Sequence, residues 1–318
     1  MILSELINRS VKTVLGMQDE HCFGSFYCDD NKLASLEGCP QKIDNIFNCS
    51  HNKLTTLEHG PIFVGGDYDC TYNELTSLEG SEHVIIDGNF YCHDNRLTSL
   101  EGCPKITDGG LFCYNNKLTS IKGCPTSVID FYCYGNELAS LEGCPQKIDN
   151  IFNCSHNKLT TLEHGPIFVG GDYDCTYNAI ASLKGSEHVI IDGNFYCYNN
   201  RLTSLEGCPK ITDGRLFCYN NRLTSLKGCP TSVTDFYCYG NKLTSLEGCP
   251  TIIKQYFWSD DKLPMLGLLR MHVNKLHPGM RVASIMNEYF CGEPISKARI
   301  FECQSKLIDA GFEEEAEF

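Results

Sequence analysis

The sequence predicts an α+β repeat fold: a solenoid of short parallel strands stacked rung upon rung, with little helix between strands, an N-terminal helical cap and a small C-terminal helical region. Three observations predict it. One motif recurs eleven times at a spacing near 21 residues. Each copy carries a short run of inward/outward alternation. The regular spacing gives way at both ends to segments with helical periodicity.

The motif is Cys-x-x-Asn-x-Leu, with Ile180 in the leucine position of one rung. Its cysteines are Cys28, Cys49, Cys70, Cys92, Cys113, Cys133, Cys154, Cys175, Cys197, Cys218 and Cys238, with gaps of 21, 21, 22, 21 and 20, then the same five again. In the rung Phe131 to Leu141, alternation directs Phe131 and Cys133 into the core, and Tyr132 and Tyr134 onto the outer, concave face of the sheet. Asn136 stands where the strand turns. Its amide both donates and accepts, so it can satisfy backbone groups of its own rung and the next. Leu138 and Leu141 fill the core behind, and Gly143-Cys144-Pro145 turns the chain. The connecting segments are too short for regular helices and are expected to be extended or 3₁₀.

A longer period lies above the short one. Residues 28–132 align without gaps on 133–237, and 13 of those positions differ. Glu37–Asn73 recurs unchanged as Glu142–Asn178. Five rungs were duplicated as a block.

The 20–22-residue unit fits the leucine-rich-repeat template, with cysteine in a slot that leucine usually fills. The chain resembles bacterial and bacteriophage leucine-rich-repeat proteins with short repeats, including the repeat arms of effectors from enteric pathogens. The turn Leu-Thr-Ser-Leu-Glu-Gly-Cys-Pro, at Leu97–Pro104 and Leu243–Pro250, resembles the phage and prophage group most. The resemblance spans residues 22–263 and implies a binding arm rather than an activity.

The expected organisation is a cap over 1–21, a solenoid over 22–263 with eleven regular repeats and a degenerate twelfth, and a helical region over 264–318. In Met1–Gly16 the residues Ile2, Leu3, Leu6, Ile7, Val11, Val14 and Leu15 follow helical spacing. After Cys238 a gap of 20 points to position 258, where the chain has its only tryptophan, Trp258. With Asp261 in place of the asparagine and Pro264 following, this rung is expected to plug the core. Helical patterns follow at Met265–Val273, Met280–Phe290 and Ile295–Ala310, then an acidic, solvated tail at Glu313–Glu315.

Charge and composition exclude several classes. The 26 Lys and Arg stand against 40 Asp and Glu, a net charge of −14, which disfavours nucleic acid and anionic membranes as partners. No apolar run reaches the ~18 residues of a membrane span. The first residues lack the basic start and unbroken apolar block of a signal peptide. The 21 cysteines then read as reduced, buried small hydrophobes of a cytoplasmic protein, in the host cytoplasm if phage-encoded. Parallel Cβ vectors one rung apart suit disulfides poorly, and no Cys-x-x-Cys offers a zinc pair. Calcium at Asp67/Asp69 or Asp172/Asp174, and an acid–base pair of His93 with Asp69, are weak readings. The duplicate of His93 is Tyr198. The ubiquitin-ligase domain of some enteric effectors would not fit after the repeats, so Cys291 inherits no catalytic role. No enzyme, metal or cofactor is expected.

Alternation places Tyr91, Phe112, Tyr114, Tyr132 and Tyr134 in one outward patch, and Tyr196, Tyr198, Phe217, Tyr219, Tyr237 and Tyr239 in a second, with polar rungs between. Such rings either bind a partner or brace neighbouring rungs. The copies differ here: Asp29 becomes Tyr134, Asp30 Gly135, His93 Tyr198, Asp94 Asn199 and Gly110 Arg215. The expected function is a non-enzymatic protein-binding solenoid acting on a host protein, such as a defence component. The alternatives are self-association into a homo-oligomer through the same face, or glycan binding.

Overall fold

The computed structural model describes residues 10–15, 20–260, 263, 272–290 and 296–317. The chain forms two compact units, Met1–Leu159 with Glu163–Val169, and Thr160–Leu162 with Gly170–Phe318. Both are parallel-strand solenoids of leucine-rich-repeat type.

In the first unit, two-residue strands at Phe26–Tyr27, Phe47–Asn48, Tyr68–Asp69, Phe90–Tyr91, Leu111–Phe112, Phe131–Tyr132 and Phe152–Asn153 pair in parallel, each in register with the next. The extended backbone expected between rungs is itself organised. His21–Cys22, Lys42–Ile43, Phe63–Val64, Ile85–Ile86 and Lys105–Ile106 form a second parallel ladder. Its second residue is β-branched in most rungs, and Ile43, Val64 and Ile86 are wholly buried there. In the second unit, Tyr173–Asp174, Phe195–Tyr196, Leu216–Phe217 and Phe236–Tyr237 continue the same pattern up to the strand Ile252–Trp258. That seven-residue strand also pairs with Ser232–Val233, and His272–Leu276 lies along it.

The core repeats as the alternation requires. Phe131, Cys133, Leu138 and Leu141 have no exposed surface, and neither do their counterparts Phe236 and Cys238. Among the described residues no cysteine forms a disulfide. Some thiols donate to the next rung, as Cys113 Sγ does to the Tyr132 carbonyl at 3.5 Å. Asparagine binds the rungs together. Asn116 Nδ2 donates to the Cys92, Cys113 and Tyr114 carbonyls at 3.1, 3.1 and 3.3 Å, while its Oδ1 accepts from Leu97 N at 2.9 Å. The residue just before each ladder asparagine takes a left-handed backbone, filled by Gly135 and Gly240 but also by Asp30, His51, Tyr72, Asp94 and Asn115. Bulky side chains are uncommon in that region, so the asparagine bonds on either side must hold it. At the turn, Cys144 N bonds back to the Leu141 carbonyl at 2.9 Å and Gly143 has φ 93°, the positive value at the third position that a type II turn requires and glycine supplies.

At the N-terminal side, the described part of the expected cap is a short helix, Val11–Leu15. Val11 is buried, Lys12 N bonds to the Glu37 carbonyl, and Ser10 bridges to Ser35. Ile2, Leu3, Leu6 and Ile7 lie outside the described residues. Toward the C-terminus two expectations are corrected. Phe236 pairs with Phe257 and Tyr237 with Trp258, so the last gap is 21 rather than 20. Ser259, buried, takes the cysteine slot, and Trp258 stands outward, half-buried, instead of plugging the core. The described end of the Met265–Val273 pattern is strand, because His272 and Val273 complete the edge of Ile252–Ile253. Asp261, Pro264 and Cys291 lie outside the described residues. Helices Ala283–Phe290 and Lys297–Asp309 follow, the latter capped by Ser296 Oγ accepting from Arg299 N.

Candidate protein-interaction face

Strand alternation builds the outward face as columns, because successive rungs place equivalent residues above one another. In the first unit Tyr91, Phe112 and Tyr132 stack with centroids 4.7 and 5.0 Å apart. Beside them His93, Tyr114 and Tyr134 stack at 4.0 and 4.4 Å with nearly parallel planes. In the second unit Tyr196, Phe217 and Tyr237 stack at 4.7 and 4.7 Å, and Tyr198, Tyr219 and Tyr239 at 4.3 and 4.6 Å. All eleven predicted residues stand on the outward side of the sheet, and each is half-buried by its neighbours. The rings brace one another, each contact contributing about 0.5–1.5 kcal/mol beyond the area it covers. The middle ring of each column, Phe112, Tyr114, Phe217 or Tyr219, has a stacked neighbour on both faces.

The Tyr114 and Tyr219 hydroxyls stay protonated. Burial first, then Tyr134, pushes the Tyr114 phenol up to about 12, and burial with Tyr198 raises Tyr219 as well.

Sequence reasoning missed two groups of residues. His51 and Tyr72 stand at left-handed positions and stack at 4.4 Å, with Tyr72 49% exposed and edge-on to His93. They carry an aromatic margin into rungs that alternation alone read as polar. The only signal was their place one residue before each asparagine. In the second unit the ladder runs on past the regular repeats. Trp258 lies 4.6 Å from Tyr239, and His277 covers Trp258 at 3.9 Å and 6°. Burial lowers the His277 pKa, which keeps the ring neutral; its Nδ1 accepts from Gly279 N at 3.1 Å.

The carboxylates on this face are occupied by the backbone. Asp67 accepts from Asn89 N and Asp69 from Thr71 N, while Asp172 accepts from Asn194 N and Asp174 from Thr176 N. His93 pairs with Asp94 at 2.8 Å rather than with Asp69. Among the described residues no three His, Cys, Asp or Glu side chains are placed to hold a metal.

No family model matches the chain, and no curated protein matches it. Solved structures do. YopM from Yersinia enterocolitica is 18% identical with a TM-score of 0.44, over 80% of this chain and 62% of that one. The functional domain of InlJ from Listeria monocytogenes, described as including a cysteine ladder, is 20% identical with a TM-score of 0.37, over 68% and 59%. A leucine-rich-repeat protein of Leptospira interrogans is 14% identical with a TM-score of 0.42, over 87% and 83%. The chain thus spans less than two thirds of the Yersinia and Listeria structures it matches.

Proposed function

We propose that this chain is a non-enzymatic protein-binding solenoid whose outward aromatic face is the interface. The observation that carries this reading is the pair of ring columns in each unit, which hold tyrosine edges and hydroxyls in fixed positions. Edges and hydroxyls suit a protein partner, because they pack against side chains and bond to main-chain groups. Glycan binding is less well served: sugars stack on open ring faces, and here each inner ring's faces are covered by its neighbours. The finer reading, supported by the resemblance to phage and bacterial repeat proteins and by the reduced cysteine core, is a protein of the host cell met in the cytoplasm.

Tyr219 is the expected centre, since it lies between Tyr198 and Tyr239 with the Trp258–His277 extension close by. The test is affinity capture from a host lysate with the parent, Tyr219→Ala and Lys227→Ala, followed by titration of any captured protein. Lys227 pairs with Glu206 at an exposed site and serves as the control. Loss with Lys227→Ala and none with Tyr219→Ala would place binding elsewhere.

A further inference from the structure

The duplication supplies two versions of one site. At the outward position just before the strand, the first copy has Gly110 and the second Arg215. Much of the surroundings is shared, although Asn150 Nδ2 also donates to Asp130 Oδ1 at 3.0 Å where the second copy has Gln255. Asn89 Oδ1 accepts from Gly110 N at 2.8 Å, and Asn194 Oδ1 accepts from Arg215 N at 3.0 Å. On the next rung Asp130 Oδ1 accepts from Ile151 N at 3.0 Å, and Asp235 Oδ1 accepts from Tyr256 N at 2.8 Å. The copies part at the other carboxylate oxygen. Asp235 Oδ2 holds Arg215 Nε at 2.8 Å, whereas Asp130 Oδ2 holds no hydrogen bond among the described residues.

We propose that the first copy takes an arginine side chain of a protein partner at this position, its guanidinium pairing with Asp130 Oδ2 as Arg215 pairs with Asp235. The inference deepens the protein-binding reading and rests on it. Three features support arginine. The second copy already shows a guanidinium accommodated by the same carboxylate and the same neighbouring rings. A guanidinium is planar and more weakly hydrated than an ammonium, so it can lie against the neighbouring rings while one N–H meets Asp130 Oδ2, as Arg215 Nε meets Asp235 Oδ2. The local charge also fits. Burial first, then Asp67, Asp69 and Asp130, raises the Tyr91 pKa, while at its counterpart Tyr196 burial and Asp172 are opposed by Arg215. Gly110 keeps the chain from filling its own site: a Cβ there would come within 2.8 Å of the Phe112 ring edge and 2.9 Å of Asp130 Cβ.

The probe is a blocked Gly-Arg-Gly peptide, with Gly-Lys-Gly as comparison, titrated into the full-length protein and followed through the amide resonances of Gly110 and Ile151. The parent should bind one arginine peptide, at least several-fold tighter than the lysine peptide. Asp130→Asn should weaken binding about tenfold, and Gly110→Arg, which supplies the guanidinium internally, should abolish it. Arg215→Gly should open a second site and raise the stoichiometry from one to two. If Arg215→Gly proves unstable because it strands buried Asp235, Asp130→Asn still decides, because a side chain at position 110 presses its Cβ against Phe112 and Asp130 whereas Asp130→Asn keeps the shape of the site. Equal binding by parent and Asp130→Asn, or no preference for arginine over lysine, overturns the inference. A captured protein that binds Gly110→Arg as tightly as parent but not Tyr219→Ala would overturn the arginine site and leave the protein-binding reading standing.

Discussion

The first and second copies of the duplicated block share a core and differ on their surface. Of the 13 substitutions only Leu75→Ile180 and Ile121→Leu226 fall in the buried core, and both exchange apolar isomers. The others change what solvent meets. At those positions the first copy carries Asp29, Asp30, Glu74, Glu79 and Asp94 against Lys32 and Lys117, a sum of −3. The second carries Glu137 against Lys184, Arg215 and Arg222, a sum of +2. A solenoid tolerates this because each rung contacts only its neighbours, so the stacking contacts persist while the face diverges. The difference teaches where selection has acted: the scaffold was kept and the two faces were set apart.

The core half of the comparison predicts equality. Cys113→Asp and Cys218→Asp each place an uncompensated charge at a position with no exposed surface, and each should cost about 3–5 kcal/mol or prevent folding. Denaturant melts should give the same loss for both within error, and a large disparity would break the claim that the ladders are equivalent. Asn116→Ala and Asn221→Ala come next. Each strands the amide of a leucine on the preceding rung, Leu97 or Leu202, and two or three carbonyls, for about 2–4 kcal/mol.

A third prediction concerns alkaline pH. Burial pushes the Cys28 and Cys249 thiols up to about 12, against an ordinary value of 9. The stability linked to a raised thiol is complete below the unfolded value and is lost as pH rises through the folded one. Each such thiol should therefore cost about 1.4 kcal/mol per pH unit between 9 and 12. The melting temperature should fall steeply above pH 9, and alkylation at pH 8 should spare the ladder until the chain unfolds. A flat profile to pH 11 would contradict the buried-thiol core.

Much of this was legible in the sequence. The eleven-fold motif fixed each rung's register, since Phe131, Cys133, Asn136 and Leu138 repeat the same constraint and a slip of one would turn the whole set outward. Trp258 was misplaced because a gap of 20 was taken after Cys238, whereas the five-gap cycle starts again there at 21, as the pairing of Phe236 with Phe257 shows. The second ladder was read only as extended chain, since a two-residue strand leaves too little alternation to reveal pairing. Asp130 and Asp235 gave no signal at all. Their sequence contexts are nearly the same, and what distinguishes them is Arg215, a full rung away.

The surface half predicts inequality of smaller size. Tyr114→Ala and Tyr219→Ala each remove two stacking contacts and should lower stability by about 1–3 kcal/mol. Lys227→Ala breaks only an exposed pair and should change stability by less than about 0.5 kcal/mol.

The most direct test of the central claim, that the face binds a protein and the second copy's version dominates, is titration of a captured partner with matched variants. Each variant should first melt as a folded solenoid. Tyr219→Ala should weaken binding by about 2 kcal/mol, near thirtyfold, as a central hot spot would. Tyr114→Ala should weaken it less and Lys227→Ala not at all. Undiminished binding by both tyrosine variants, with loss in Lys227→Ala, would contradict the account.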